Sequence, residues 1–263
     1  MDLLNPHYDI QHRSYKLSEK RQELVPLRLR YHEVASAKNL TYDERYTSYI
    51  EKLGLLTFIH MVTRSTPKFN PAGITTLVDW WRPETHTFHL RTGETTVTLQ
   101  DMSMILALSI EGNPVCISTD SEGWREQMVS LIGKDPPEVV NNKGVTLRVV
   151  VGSTFSWIRQ NFKTCPEDAD EDMVITYACV YVWYIITRTL FPDSSGDRAQ
   201  LHCLKVLTVF DSKFSWGSAV LAWFYRQLDD ACLRSATDGC IGGCVLLLSV
   251  WTGNASQLDG RDC

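Results

Sequence analysis

The stretch from residue 80 to residue 110 constrains the fold most, because a helix end, a β-hairpin and a helix start follow one another there without a linker. Pro83 lacks a backbone N–H and restricts the residue before it, so the helix that carries the preceding tryptophans must end here. Polar and apolar residues then alternate around a turn at 91–94, and the apolar ones are Phe88, Leu90, Val97 and Leu99. This alternation predicts a small hairpin over about residues 87–99.

The residues after the hairpin predict a helix that starts directly from the second strand. Thr98 and Asp101 have the spacing of a capping box, in which each side chain bonds the other's backbone N–H. An apolar run follows from Met102, so we expect a buried helix over 101–110.

Apolar residues at helical spacing predict helices over most of the remaining chain. Thr41 and Glu44 form a capping-box pattern for an amphipathic helix that reaches about Val62, and Asn70 with Pro71 starts a second helix at 72–81. Further helices are predicted from Trp124 to Leu131 after a capping box at 119–122, and at 153–162, 170–190, 198–210, 215–234 and 240–251. The predicted class is mainly α: a multi-helix globular domain with one small β-hairpin.

Composition divides the chain into three predicted parts. Residues 1–40 are polar and basic-leaning, which predicts a solvated lead-in, with a targeting or nucleic-acid contact role as the alternative. Residues 41–251 form the helical domain, and the loop at 133–152, with one candidate strand at 145–151, is its candidate subdomain boundary. Residues 252–263 form a polar tail.

Charge and cysteine usage exclude several classes of protein. The formal net charge of −5 argues against nucleic-acid binding over the whole surface, although a local basic face remains open. The first residues have no apolar core of a secretory signal, so we expect a reducing compartment in which the eight cysteines are free, mostly buried thiols. The longest apolar run, 173–187, is shorter than the roughly 20 residues of a membrane span and predicts a core helix.

Several ordered blocks of sequence carry a family resemblance. They are Trp81-Arg82-Pro83-Glu84-Thr85-His86-Thr87-Phe88-His89, Thr96-Val97-Thr98-Leu99-Gln100-Asp101, Leu190-Phe191-Pro192-Asp193 and Ser215-Trp216-Gly217-Ser218-Ala219. Together they resemble the plant mobile domain over about residues 45–251. This family is also labelled aminotransferase-like and is related to the Maintenance of Meristems proteins.

The resemblance implies a biological role. It implies a plant nuclear protein, with the cytoplasm as the alternative location, that acts in meristem development, transposable-element silencing and genome stability with a phosphatase-seven-like protein partner. Family members continue through further helices where this chain becomes polar after Trp251. We therefore expect a C-terminally truncated copy in which the apolar face of the 240–251 helix is uncovered.

No catalytic, cofactor or metal site is predicted. A pyridoxal enzyme needs a Schiff-base lysine beside a phosphate cup, and no lysine stands in such a setting, so the aminotransferase label does not describe an activity. The acidic run at 167–172 begins like a calcium loop, but Met173 and Cys179 stand where glycine and glutamate are needed. Carboxylates before a helix instead stabilise its dipole.

Two groups in the signature leave alternatives open. His86 and His89, with Glu84, suggest a metal or acid–base site, but strand residues three apart point to opposite faces. The other interpretation is structural, with one ring in the core and one bonded to the hairpin backbone. Arg82 could form an interior salt bridge with a nearby carboxylate, or it could bind backbone carbonyl groups as a clamp. The alternative is that it faces a partner and anchors it.

The residues favour a non-enzymatic interaction module, since they contain no recognisable catalytic constellation. The alternatives are a nucleic-acid-binding domain derived from a transposable element, which would use the basic residues between 13 and 30, and an enzyme whose pocket gathers His86, Glu84 and Asp101. The candidate interaction residues are Trp81, Arg82, Pro83, Glu84, Thr85, His86, Phe88, Gln100, Asp101, Trp216 and Gly217.

Overall fold

The computed structural model describes residues 10–21, 23–30, 38–64, 69–115, 121–137, 151–208, 212–236 and 239–258. Helices dominate these ranges, and the mainly α class predicted from sequence is confirmed. The helices are α1 (Arg13–Ser18), α2 (Thr47–Lys52), α3 (Leu56–Arg64), α4 (Pro71–Trp80), α5 (Leu99–Leu106), α6 (Trp124–Ile132), α7 (Phe155–Phe162), α8 (Glu171–Thr189), α9 (Leu201–Val206), α10 (Trp216–Ala231) and α11 (Val245–Leu258).

Short strands tie distant parts of the chain together. They are β1 (Arg28–Leu29), β2 (Trp81–Arg82), β3 (Thr87–Leu90), β4 (Gly93–Thr95), β5 (Ser153–Thr154), β6 (Arg198–Ala199) and β7 (Cys240–Ile241). β2, β3 and β4 form an antiparallel sheet, while β1 pairs with β7 in parallel and β5 pairs with β6 antiparallel. The prediction of a single hairpin therefore missed the third strand and both two-stranded pairs.

The hairpin is where the sequence predicted it, but it is shorter. Leu90 pairs with Gly93, so the turn is Arg91-Thr92, and the second strand ends at Thr95. Val97 is fully buried outside the strand, and Leu99 is already the first residue of α5. The apolar alternation thus extends past the strand because the chain must turn to cap the next helix.

The long helix α8 lies at the centre of the core, as the apolar run predicted. Every residue from 178 to 190 is buried, as expected of a helix that is packed on all sides. The Asp170 side chain caps its start by accepting from the Met173 N–H at 2.9 Å, which confirms the structural interpretation of the acidic run. None of the helices in the described ranges has the length and hydropathy needed to cross a membrane.

The single helix predicted from Thr41 to Val62 is wrong. The chain instead forms a 3₁₀ turn at Glu44–Tyr46, then α2, then α3, because Gly54 takes a left-handed φ of +71° that breaks the helix. The predicted capping box is wrong as well. Asp43 accepts from the Arg45 N–H, while the Thr41 N–H donates to the Lys163 carbonyl.

Other helix limits differ for local reasons. α5 ends at Leu106 because Ala107 adopts a left-handed φ of 52°. α4 ends at Trp80, so β2 rather than Pro83 stops it. The helices predicted at 153, 198 and 240 begin later, because β5, β6 and β7 come first. The predicted cap at Thr119 and the candidate strand at 145–150 lie outside the described residues.

The description of the first 40 residues as a solvated lead-in holds only in part for the residues that the structure describes, because an otherwise largely exposed segment at 10–30 has a few buried residues that anchor it to the helical body. Arg13 is only 1% exposed, and its guanidinium Nε lies 2.8 Å from Asp79 Oδ1. Its backbone N–H donates to the Cys232 carbonyl. Leu27 is buried, and its backbone N–H donates to the Thr75 hydroxyl. A basic residue can be interior here because a carboxylate and carbonyl groups receive its guanidinium.

The expectation of an uncovered apolar face near the C-terminus is also wrong. Residues 245–248 of α11 are buried, and α11 packs against α5. Trp251 reaches the sheet, where its ring lies 5.6 Å from Phe88. The prediction of free thiols is confirmed for the described cysteines, which are all buried: Cys165, Cys179, Cys203, Cys232, Cys240 and Cys244.

Candidate functional site

The first signature residue, Trp81, connects the sheet to α10. Its side chain is fully buried, and its indole N–H donates a 2.8 Å hydrogen bond to Asp229 Oδ1. Its ring packs against Phe88 at 4.9 Å and Tyr225 at 5.2 Å. Trp81 is therefore held by a strand neighbour on one side and by two residues of α10 on the other.

Arg82 occupies an interior position, which matches the carbonyl-clamp alternative. It is 4% exposed, and Nη1 donates to the Trp81 carbonyl at 3.0 Å. Interpretation as a partner-facing anchor is wrong, because the side chain does not reach the surface. Two carboxylates near Arg82 in sequence bind elsewhere, since Asp79 pairs with Arg13 and Asp101 caps its own helix.

His12 completes this cluster from the N-terminal segment. Its Nε2 lies 2.9 Å from the Trp81 carbonyl and 3.2 Å from Arg82 Nη1, while Nδ1 accepts from the Ser14 N–H. The imidazole thus uses both nitrogens inside the protein and fixes the first strand of the sheet. Sequence reasoning missed His12, because no pattern in the neighbouring sequence indicates a contact with a strand about 70 residues away.

The turn between β2 and β3 carries Pro83, Glu84, Thr85 and His86 at the surface. His86 has a left-handed φ of 51°, stacks on Tyr225 at 5.2 Å and lies 3.3 Å from Asp229 Oδ2. The Thr85 hydroxyl contacts the Thr87 hydroxyl at 2.6 Å. This turn is exposed, yet its imidazole rests on the aromatic residues of the core.

The predicted placement of the two histidines is wrong. His86 is 47% exposed and His89 20% exposed, so neither ring lies in the core. His89 lies 3.6 Å from Glu94 and 3.3 Å from the Thr85 hydroxyl, which are side-chain contacts rather than bonds to the hairpin backbone. The His86 ring joins the turn to Asp229 of α10, whereas the His89 ring contacts only side chains of the sheet and its turn.

The second signature block begins α5. Thr98 and Asp101 form the predicted capping box: the Thr98 hydroxyl accepts from the Asp101 N–H at 3.3 Å, and Asp101 accepts from the Thr98 N–H at 2.7 Å. Gln100 is exposed on the first turn, with its amide 3.7 Å from the Met104 sulfur. Asp101 is thus committed to its own helix.

The block Ser215-Trp216-Gly217-Ser218-Ala219 begins α10 and packs it closely against α5. Trp216 is buried and donates from its indole to the Leu53 carbonyl at 2.7 Å. Gly217 donates its N–H to the Ser109 carbonyl, and a Cβ at this position would lie 2.8 Å from Ile110 Cγ2. The close helix contact predicted at Gly217 is confirmed, although Ser215 makes no side-chain cap bond to the backbone.

The structure brings the signature residues together in two groups along α10. Gly217 meets α5 near the start of the helix, whereas Asp229 meets β2 near its end. At 1.5 Å per residue, the groups are about 18 Å apart along the axis. Tyr225 and Asp229 connect the helix to the sheet. Sequence reasoning did not select Asp229, and its position four residues after Tyr225 on a predicted helix was the available signal.

No described arrangement joins the residues of the enzymatic alternative. His86 contacts Asp229, Asp101 contacts Thr98, and no hydrogen bond within the described ranges links either of them to Glu84. The described residues also contain no group of three or more metal-ligating side chains that could hold an ion. The arrangement at hand is a brace between a sheet, two helices and an N-terminal segment.

Sequence comparisons identify the family to which this braced helical body belongs. The family model described as plant mobile domain matches residues 57–255. The chain therefore belongs to the plant mobile domain family. No solved structure matches the chain significantly.

Three proteins of Arabidopsis thaliana are similar to this chain. Protein MAIN-LIKE 1 is 37% identical over 186 residues, covering 70% of this chain and 35% of that protein. Protein MAINTENANCE OF MERISTEMS is 32% identical over 186 residues, covering 70% and 37%. Serine/threonine-protein phosphatase 7 long form homolog is 39% identical over 181 residues, covering 68% and 13%. The match thus spans well under half the length of each relative.

Proposed function

We propose that this plant mobile domain is a non-enzymatic interaction module of the plant nucleus. In this proposal it binds a protein partner and through it serves meristem development, transposable-element silencing and genome stability. The observation that carries the proposal is the use of the signature's polar groups: Trp81 bonds Asp229, Arg82 bonds a carbonyl, and Asp101 caps α5. Groups engaged in this way support a rigid body for docking rather than a reaction centre.

The names of the relatives support the choice of process and partner. One relative is named for the maintenance of meristems, and another carries the name of a protein phosphatase 7 long form. The stretch similar to this chain makes up 13% of the phosphatase homolog. A domain that recurs as a small part of a longer chain behaves as a module, and because one such chain is named as a phosphatase 7 homolog, the proposed partner is a phosphatase-seven-like protein.

Direct binding tests this proposal. The purified chain is titrated with the purified Arabidopsis phosphatase 7 long form homolog in a calorimeter, with an unrelated phosphatase as control. We expect a complex with the homolog alone, with a Kd of about 1 μM or below. A fluorescent fusion should concentrate in plant nuclei. Absence of a complex at about 100 μM of each protein, or exclusion of the fusion from nuclei, would contradict the proposal.

The nucleic-acid alternative has fewer residues available than the sequence suggested. Arg13 is buried, Lys16 donates to the Ser235 hydroxyl, and Arg30 donates to the Ser194 carbonyl. The exposed basic residues of this segment are Lys20, Arg21 and Arg28. DNA binding through phosphates weakens steeply between about 50 and 200 mM salt. We expect no such salt-dependent binding of labelled DNA. Binding that is lost when these three residues are replaced by glutamate would establish the alternative instead.

A further inference from the structure

Three exposed aliphatic side chains surround the end of α10, on segments that meet at Arg13. They are Ile10 in the turn before α1, Val25 in the loop after α1 and Leu233 after α10, and they are 54%, 53% and 47% exposed. The backbone N–H of Arg13 donates to the Cys232 carbonyl, next to Leu233. Its guanidinium donates to the Val25 carbonyl at 3.4 Å. The contacts of one buried arginine thus bring three exposed apolar groups to one part of the surface.

Basic side chains lie beside these aliphatic groups. Lys16 donates to the Ser235 hydroxyl at 2.6 Å. The Arg234 guanidinium donates to the Cys240 carbonyl, and Cys240 pairs with the exposed Arg28 across the two short strands β1 and β7. In the part of the chain that the structure describes, no ion pair joins Lys16 or Arg28 to a carboxylate. The basic aliphatic face consists of Ile10, Lys16, Val25, Arg28, Leu233 and Arg234.

The charge of this face is opposite in sign to that of the whole chain. The formal net charge is −5, whereas the face carries Lys16, Arg28 and Arg234, and such a local positive field attracts negative groups. Cations near a helix C-terminus also stabilise the helix dipole, which accounts for Lys16 and Arg234 at the end of α10. That role does not account for the exposed aliphatic groups among them. A cluster of apolar groups rimmed by polar residues is typical of an interaction surface.

The carboxylates around the basic aliphatic face favour a protein segment over a polyanion. Glu23 is exposed two residues before Val25, and Asp230 lies 3.8 Å from Arg234 at the surface. DNA and anionic lipid surfaces present closely spaced negative charges, which these two carboxylates would repel. A protein segment carries its charges one by one and can place them beside Arg28, away from both carboxylates. The aliphatic groups also offer no ring on which a nucleic-acid base could stack.

We propose that the basic aliphatic face binds a segment of a protein partner in which aliphatic residues are flanked by aspartate or glutamate. The apolar groups of that segment cover Ile10, Val25 and Leu233, and its carboxylates pair with Arg28 and lie near the other two cations. This inference rests on the proposed function, because it names the surface and the partner chemistry through which the module works. The buried Arg13 is then the anchor that holds the face together.

A display library of random peptides of about 12 residues, selected on the purified chain, tests the proposal. The apolar contact is weakened by Leu233→Ser, whose matched control is Val129→Ser, since both side chains are 47% exposed. The charge is reversed by Arg28→Glu, whose control is Arg91→Glu in the exposed turn between β3 and β4. Circular dichroism confirms that each variant is folded before selection.

The expected result is a shared peptide chemistry that depends on this face. Peptides with aliphatic residues flanked by aspartate or glutamate are enriched on the wild type and on both controls. Enrichment falls about tenfold on Leu233→Ser, and selection on Arg28→Glu favours lysine or arginine at the flanking positions. Enriched peptides without acidic residues, equal enrichment on Leu233→Ser, or an unchanged charge preference on Arg28→Glu would each overturn the proposal.

Other occupants of the face are tested with defined probes. A short DNA duplex and vesicles that contain phosphatidylserine should not bind the chain at about 150 mM salt. Sedimentation of the chain alone should show no self-association that Leu233→Ser removes. Binding of either polyanion that Arg28→Glu abolishes, or self-association that Leu233→Ser abolishes, would assign the face to that occupant and overturn the proposal of a partner segment.

The same variants separate this inference from the proposed function. If Leu233→Ser and Arg28→Glu bind the phosphatase homolog as tightly as the wild type and no peptides are enriched, the basic aliphatic face is not the docking surface, although the module still binds its partner. If the peptides behave as expected and the homolog forms no complex, the proposal for the face holds and the partner proposed above is wrong.

Discussion

The indole N–H of Trp81 and the carboxylate of Asp229, 148 residues apart, are joined by a 2.8 Å hydrogen bond. The same carboxylate lies 3.3 Å from the His86 ring. One acidic side chain on α10 therefore holds both the buried start and the exposed turn of the Trp-Arg-Pro signature.

Replacing Asp229 by alanine should destabilise the protein by about 1–3 kcal/mol, because it leaves the N–H of a buried indole without an acceptor. The measurement is urea unfolding followed by tryptophan fluorescence. The control is Asp230→Ala on the next residue, whose side chain is 62% exposed and which should change stability by less than about 0.5 kcal/mol. Equal effects of the two substitutions would show that the hydrogen bond contributes nothing particular.

Replacing Arg13 by alanine should be more damaging, by about 3–5 kcal/mol, because it removes a buried guanidinium and leaves the half-buried carboxylate of Asp79 without its partner. Arg13 also donates to the Arg234 carbonyl, so the variant loosens the link between α1 and the end of α10. Thermal unfolding of Arg13→Ala and of Lys20→Ala, an exposed residue of the same segment, makes the comparison. If the thermal unfolding midpoint fell no further for Arg13→Ala than for Lys20→Ala, the contacts of Arg13 would not contribute to the stability of the protein.

Replacing Gly217 by alanine should cost about 1–3 kcal/mol through overpacking, because its Cβ would lie 2.8 Å from Ile110 Cγ2 and 3.2 Å from Met102 Cβ. Shortening the neighbour in a Gly217→Ala/Ile110→Ala double variant should recover part of that loss. Gly253→Ala on α11 is the helical control, since no atom lies within 4 Å of its added Cβ. If urea unfolding gave the same loss of unfolding free energy for Gly217→Ala and Gly253→Ala, the close packing of α5 on α10 would be contradicted.

Features set by neighbours within one helical turn could be predicted from the sequence. The Thr98–Asp101 capping box, the Asp170 cap and the buried run of α8 all follow from local spacing, and each is present. The contact at Gly217 was predictable in kind, since a glycine near a helix start commonly marks a close approach.

Contacts between distant residues could not be predicted in this way. A salt bridge to a carboxylate close in sequence was one of the alternatives for Arg82, whereas in the fold Asp79 binds Arg13, 66 residues away. A pattern of charges specifies which partners are chemically suitable, and only the fold decides which of them is near. The two-stranded pairs were missed for a related reason, because two-residue strands leave no periodicity to detect.

The buried thiol of Cys203 should make stability depend on alkaline pH. Burial, and then the charge of Asp193, raises the pKa of this thiol to about 12. In the unfolded chain a thiol titrates near pH 8.5, so above that pH the unfolded state loses a proton that the folded state retains. The free energy of unfolding therefore falls as pH rises from about 8.5 toward 12, and this contribution is fully present below that window.

A Cys203→Ala variant isolates that contribution, because it lacks the proton and keeps the rest of the core. The difference in unfolding free energy between wild type and variant should shrink by about 1.5–2 kcal/mol between about pH 8 and pH 10. Val206→Ala, on the same buried face of α9 and without a titrating group, should show the same loss at both pH values. A wild-type advantage over Cys203→Ala that stays constant across this range would mean that the thiol ionises in the folded protein as readily as in the unfolded chain.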